Sequence, residues 1–193
     1  MSTEFKIGKL SNLKLIQELV SDIPGLNYHS DFLTDKSQQQ ILDVLDTLDY
    51  QVINGRPTKY FGLNYTHRKK THDSKKEEIP LFFDLLKPLN IKFDQLVIEY
   101  YRRDDGHHYL NESDLFSDDI IILPIGSCFK YDFVRNDKSV SFLVEPKSLL
   151  LISGESRKWK RSIRPRIKER FNSIIIPRTE FYVLTFRNIK TNI

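Results

Sequence analysis

Histidine is scarce and unevenly placed: the five residues stand at 29, 67, 72, 107 and 108, and the last 85 positions of the 193-residue chain contain none. Metal chemistry that needs an imidazole from the C-terminal part of the chain is thereby excluded. A single cysteine, Cys128, rules out an internal disulfide, so nothing ties the fold to an oxidising compartment. Such a thiol reads as a small buried hydrophobe. Alanine is absent, a bias with no structural meaning, and seven glycines form no Gly-rich phosphate loop. No apolar run approaches the roughly 20 residues that span a bilayer, and the N-terminal MSTEFKIGKL lacks the apolar stretch of a secretion signal. The expectation is an intracellular chain, cytoplasmic or nuclear, with no membrane role.

What the chain does have is an ordinary globular share of hydrophobic residues, 39%, and a net charge of +4 that conceals an asymmetry. Residues 157–170, RKWKRSIRPRIKER, carry eight Lys/Arg against one Glu, which leaves the remainder acidic. A second cluster, HRKKTHDSKK at 67–76, carries five Lys/Arg against one Asp. Between them, DDGHHYLNESDLFSDDIIILPIGS sets His107 and His108 among carboxylates. In an extended segment the two imidazoles point to opposite faces, so one metal does not easily take both. Glu112, Asp114, Asp118 and Asp119 read as a solvated loop face rather than a magnesium site. No nucleophile elbow accompanies the scattered Ser, His and Asp residues.

Residues 1–90 show helical signals and are expected to form a helical preface and lid region. Ser11 can cap a helix with Leu13, Ile16, Leu19 and Val20 on one face, and Thr34 a second with Ile41, Leu42, Leu45 and Leu48. A third is expected from Pro80, with Phe82, Leu85, Leu86 and Leu89 as its stripe. From residue 91 the period becomes two. Strands are expected at 94–101, 119–125, 128–133, 139–144, 148–152, 173–176 and 181–189, with RNDK at 135–138 as a hairpin turn. The fold class is therefore mainly β with helices (α+β), a jelly roll or sandwich with N-terminal helices packed on one sheet, in one domain over 1–193.

Several segments resemble the AlkB-like family of Fe(II)- and 2-oxoglutarate-dependent nucleic-acid dioxygenases, notably the branch with the tRNA wobble-uridine hydroxylase domain. They are Lys59-Tyr60-Phe61-Gly62, Gln95-Leu96-Val97-Ile98 with Tyr101 and Gly106, FSDDIIILPIGS at 116–127, PKSLLLISGESR at 146–157, and Leu184-Thr185-Phe186-Arg187. The resemblance spans roughly residues 25–190 and implies a double-stranded β-helix with its site at the mouth. It also implies a facial triad, His-x-Asp early and one His late, that leaves open positions for 2-oxoglutarate and oxygen. Depending on the anchor, the early motif falls on Leu110-Asn111-Glu112 or Tyr109-Leu110-Asn111, and the late histidine on about Arg161. None of these supplies the triad, and a guanidinium has no lone pair for a metal.

The cosubstrate residues implied by the resemblance depart in the same direction. The Asn-x-Tyr pair reads Glu99-Tyr100-Tyr101, and the two arginines of the last strand read Phe181 and Arg187. A missing guanidinium removes a charge-assisted anchor of about 1.5–3 kcal/mol, and Glu99 adds repulsion to a dianion. A Glu99–Arg187 ion pair, with Phe181 filling vacated volume, is the expected substitute. No catalytic residue, metal or cofactor is expected.

The basic segments border the substrate groove in the family. Arg68, Lys69 and Lys70, with Arg157, Lys158, Lys160, Arg161, Arg164, Arg166, Lys168 and Arg170, are the expected phosphate contacts, and Trp159 the platform for an unpaired base. The leading reading is an inactive AlkB-like homologue that binds or scaffolds nucleic acid, RNA ahead of DNA. A divergent active oxygenase and a subunit that binds an acidic protein partner are the alternatives.

Overall fold

The computed structural model describes residues 17, 19–66, 69–77, 93–111, 113–114, 116–171 and 173–190. Its larger sheet is built from β1 (Leu26–His29), β2 (Gln51–Ile53), β3 (Arg56–Thr66), β4 (Lys69–Glu77), β5 (Gln95–Tyr101), β7 (Phe116–Ile125), β10 (Leu149–Ile152) and β14 (Phe181–Ile189). The strand order is β1-β10-β7-β14-β5-β3-β2, with β4 on β3. A second sheet, β6-β11-β8-β9, joins β6 (His107–Leu110), β11 (Lys160–Ile163), β8 (Phe129–Arg135) and β9 (Lys138–Val144). The strands β12 (Lys168–Phe171) and β13 (Ile174–Pro177) form a separate ribbon.

Alternation along the central strands makes two cores. Ile120 and Ile122 of β7, Tyr101 of β5, and Phe181 and Val183 of β14 face the second sheet, where they meet Phe129, Tyr131, Phe133 and Phe142. Their neighbours Ile121, Leu123, Leu96, Ile98, Leu184 and Phe186 face the other way, against helix α1 (Asp35–Leu45). Strands covered on both faces need apolar residues at nearly every position, which explains DIIILPI and FYVLTF. Thr34 caps α1 as expected, its hydroxyl accepting from the Ser37 N–H at 3.1 Å, and Ile41 and Leu45 are its buried contacts.

The strands expected after residue 91 are present, and β14 has the expected bounds. The first ninety residues differ from expectation, because β1 to β4 lie there. β1 is four residues long and β2 three, β4 reads KKTHDSKKE, and they are held by pairing with β10 and β3, while β3 pairs with β5. The helix expected from Ser11 is described only at its end, where Val20 is buried, and the one expected from Pro80 lies outside the described residues.

Leu45 is fully buried whereas Val52 is 74% exposed. Leu45→Ala should therefore cost about 2–5 kcal/mol and Val52→Ala less than about 0.5 kcal/mol, as read from urea midpoints. Equal losses would contradict the placement of α1 on the sheet.

Candidate functional site

In the inner core, β3, β5 and β14 bring one cluster of side chains together. In the ladder of β14 on β5, Phe181 lies opposite Tyr101 and Val183 opposite Glu99, and β3 places Thr58 opposite Glu99 on the other side. Side chains of one parity share a face, so Glu99, Tyr101 and Phe181 all point inward. The Phe181 ring is fully buried and stacks on both neighbours, 4.7 Å from Tyr101 and 4.8 Å from Phe129 between centroids.

The Glu99 carboxylate does not meet Arg187, contrary to the sequence expectation. Its partner is Arg56, whose Nη1 donates to Oε1 at 2.8 Å, and the Tyr101 hydroxyl donates to Oε2 at 3.3 Å. The register explains the difference: Arg187 lies opposite Gln95, four residues along β14 from the partner of Glu99, or about 13 Å of strand rise. Arg187 instead places its guanidinium 4.2 Å from the Phe116 ring centroid. Arg56 also donates from Nη2 to the Gly106 carbonyl at 2.7 Å and lies 4.1 Å from the centroid of Tyr101. Gly106 is where β11 comes closest, for a Cβ there would lie 2.3 Å from the Ile163 carbonyl oxygen. Burial, then the Glu99 charge, holds the Tyr101 phenol well above its ordinary pKa, so it remains a donor.

Strand β6 contributes His107, whose ring packs edge-on against Tyr131 at 6.1 Å and lies 6.2 Å from Tyr101. Its Nδ1 is 2.8 Å from the His108 carbonyl, a geometry in which Nδ1–H donates. Burial lowers the His107 pKa, with Arg56 and Arg161 acting in the same direction and Glu99 against them. His108, Tyr109, Leu110 and Asn111 are exposed, and Glu112 lies outside the described residues. Arg161, on β11, is buried and directly opposite Leu110. Among the described residues no three His, Cys, Asp or Glu side chains converge to hold a metal ion. Burial pushes the Cys128 thiol up to about 11, far from a reactive thiolate.

The basic segment is a folded element rather than a loop. It leaves a 3-10 turn (Gly154–Lys158), runs through β11, and returns as β12. Trp159 is 4% exposed in the inner core, which corrects its assignment as a base-stacking platform: its ring is already covered. Arg161 likewise turns inward. Arg157 donates to the Ser113 carbonyl at 3.0 Å, Lys158 pairs with Glu155, and Arg164 pairs with Asp132. Arg166 meets the buried Glu169 at 3.4 Å. Lys160, Lys168 and Arg170 are exposed. Arg178 ties this segment to the loop before β6, donating to the carbonyls of Arg164 at 3.0 Å and Asp105 at 2.8 Å. Lys69 and Lys70 open β4, and Arg68 lies outside the described residues.

Arg56 was not indicated by the sequence analysis. Its signal was the Asn54-Gly55 pair, whose φ values of 50° and 80° make the tight β2–β3 turn that precedes it.

No protein-family model matches the chain. It is similar to an uncharacterized protein, L905, of Acanthamoeba polyphaga mimivirus, at 25% identity over 98% of this chain and 91% of that protein. It is also similar to the mouse tRNA (carboxymethyluridine(34)-5-O)-methyltransferase ALKBH8, at 27% identity over 74% of this chain. The match spans only 24% of the mouse protein. Among solved structures, OsALKBH1 superposes with a TM-score of 0.69 at 14% identity, covering 86% of this chain and 97% of that one. A 2OG-Fe(II) oxygenase family oxidoreductase from Burkholderia pseudomallei gives 0.61 at 8% identity, with 89% and 88% covered. A Pseudomonas putida prolyl-4-hydroxylase gives 0.52 at 12% identity, with 91% and 100% covered. The chain has the jelly-roll fold of the AlkB-like 2-oxoglutarate oxygenases.

Because His107 has a lowered folded pKa, the unfolded chain binds its proton first as pH falls. Stability from this group is complete above the ordinary histidine pKa of about 6.5 and declines as pH drops toward the folded value. His107→Gln should flatten the urea-midpoint profile in that acid window relative to the parent chain. An unchanged slope would contradict the burial of a neutral imidazole.

Proposed function

We propose that this chain is a catalytically inactive AlkB-like dioxygenase homologue that binds nucleic acid, RNA in preference to DNA, or scaffolds its partners. The observation that carries the reading is Phe181, stacked between Tyr101 and Phe129 in the volume that the resemblance gives to a cosubstrate carboxylate. The donors around it do not fit iron or 2-oxoglutarate. Arg161 is cationic at any physiological pH, and Leu110, opposite it, has no donor atom. Glu99 presents a carboxylate, already engaged by Arg56, where a dianion would have to sit.

Support for nucleic acid comes from the exposed cations Lys160, Lys168 and Arg170, with Lys158 and Arg164 exposed in ion pairs beside them in the chain, and the mouse relative is by name a tRNA-modifying enzyme. With Trp159 in the core, phosphate contact rather than stacking carries the binding. An intracellular location, cytoplasmic or nuclear, belongs to the same proposal. Among the described residues no helix is long and apolar enough to cross a membrane. One observation favours the acidic-protein reading as a second choice: Ile167, Ile174 and Ile175 are exposed beside Lys168 and Arg170.

Anisotropy of a labelled single-stranded RNA should report binding at low salt, with log K falling by about 0.7 per phosphate contacted for each tenfold rise in salt. The variant Lys160→Glu/Lys168→Glu/Arg170→Glu should weaken binding about tenfold or more. Binding that ignores both salt and variant, or that appears only with an acidic protein control, would overturn the RNA reading. Protein purified without chelators should carry well under one iron per chain; a full equivalent would favour a divergent active oxygenase instead.

A further inference from the structure

The contacts around Arg56 form a complete receptor for a guanidinium ion. The Glu99 carboxylate accepts from Nη1 at 2.8 Å, the Gly106 carbonyl accepts from Nη2 at 2.7 Å, and the face of Tyr101 lies 4.1 Å from the carbon between them. A planar cation with forked donors needs these three things: an anion on one edge, a neutral acceptor on another, and an aromatic face. The parts come from separate stretches of chain, β5 and the loop before β6, and Tyr101 is fixed by the Phe181 stack. The receptor is therefore preorganised by the core rather than by Arg56 itself.

Glu99 presents a carboxylate here, and Arg56 already engages it. We propose that the former anion pocket has become a guanidinium-binding site, occupied in cis by Arg56, and that emptying it creates a receptor for free guanidinium compounds. Arg56 and Glu99 retain 15% and 25% side-chain exposure, so the site opens to solvent and a small cation can enter from the mouth. The β2–β3 hairpin, through its Asn54-Gly55 turn, delivers the occupying side chain. The proposal rests on the reading that this pocket does not take 2-oxoglutarate, and it goes beyond that reading in naming what it takes instead.

The test is thermal melting of Arg56→Ala in methylguanidinium chloride, with sodium chloride at equal ionic strength as control. Arg56→Ala should melt below the parent chain and recover saturably, by about 3–6 °C when the probe is tenfold above its dissociation constant. The parent chain, its site filled, should show no saturable rise, and Arg56→Ala/Glu99→Gln should show none because the carboxylate is gone. If Arg56→Ala does not fold, Arg56→Gln is titrated in its place, with the same expectation. Absence of recovery, or equal recovery in the Glu99→Gln background, overturns the proposal while leaving the inactive-homologue reading intact. Stabilisation of Arg56→Ala by 2-oxoglutarate overturns both.

Discussion

Phe181 faces Tyr101 across the β5–β14 ladder, and this register governs everything built around the pocket. It closes an aromatic stack with Phe129 inside the inner core. It also keeps Glu99 opposite Val183, out of reach of Arg187, so the carboxylate must find its cation on another strand. Arg56 supplies it from β3. A slip of one residue would turn Phe181 and Glu99 to the outer face against α1, which the apolar cover on that side forbids.

The energetics follow from burial more than from charge. An ion pair with one-sixth to one-quarter of its side chains exposed contributes modestly to stability, since desolvation offsets much of the attraction. What Arg56 does instead is neutralise Glu99 next to a phenol and an imidazole that are both kept uncharged by burial. The same logic holds on the rim. Glu169 is buried, with its pKa raised by desolvation, and lies between Arg166 and Arg178, so the outward face of β12 is left to Lys168 and Arg170. Burial of the acid and exposure of the bases give the rim its sign.

Much of the fold was legible because its signals are local. The Thr34 cap and the buried stripe of α1 lie within a dozen residues and have the expected form, and the apolar run of β14 has the expected bounds. The early strands were not legible, since β2 to β4 are held by pairing partners and not by their own apolar pattern. The site divides along the same line. Glu99 and Phe181 were singled out through the resemblance, whereas the identity of Glu99's partner depends on register between β3 and β5, which no local pattern encodes. Trp159 misled for a related reason: flanked by Lys158 and Lys160 it reads as surface, but between the 3-10 turn and β11 it turns into the core while its neighbours stay in water.

On the proposed reading, protein side chains stand where an anionic cosubstrate would bind. Calorimetric titration of 2-oxoglutarate into the manganese-supplemented parent chain measures this most directly. Occupation of the pocket by Phe181 and the Arg56–Glu99 pair predicts no saturable heat. A one-to-one isotherm at micromolar affinity would contradict it.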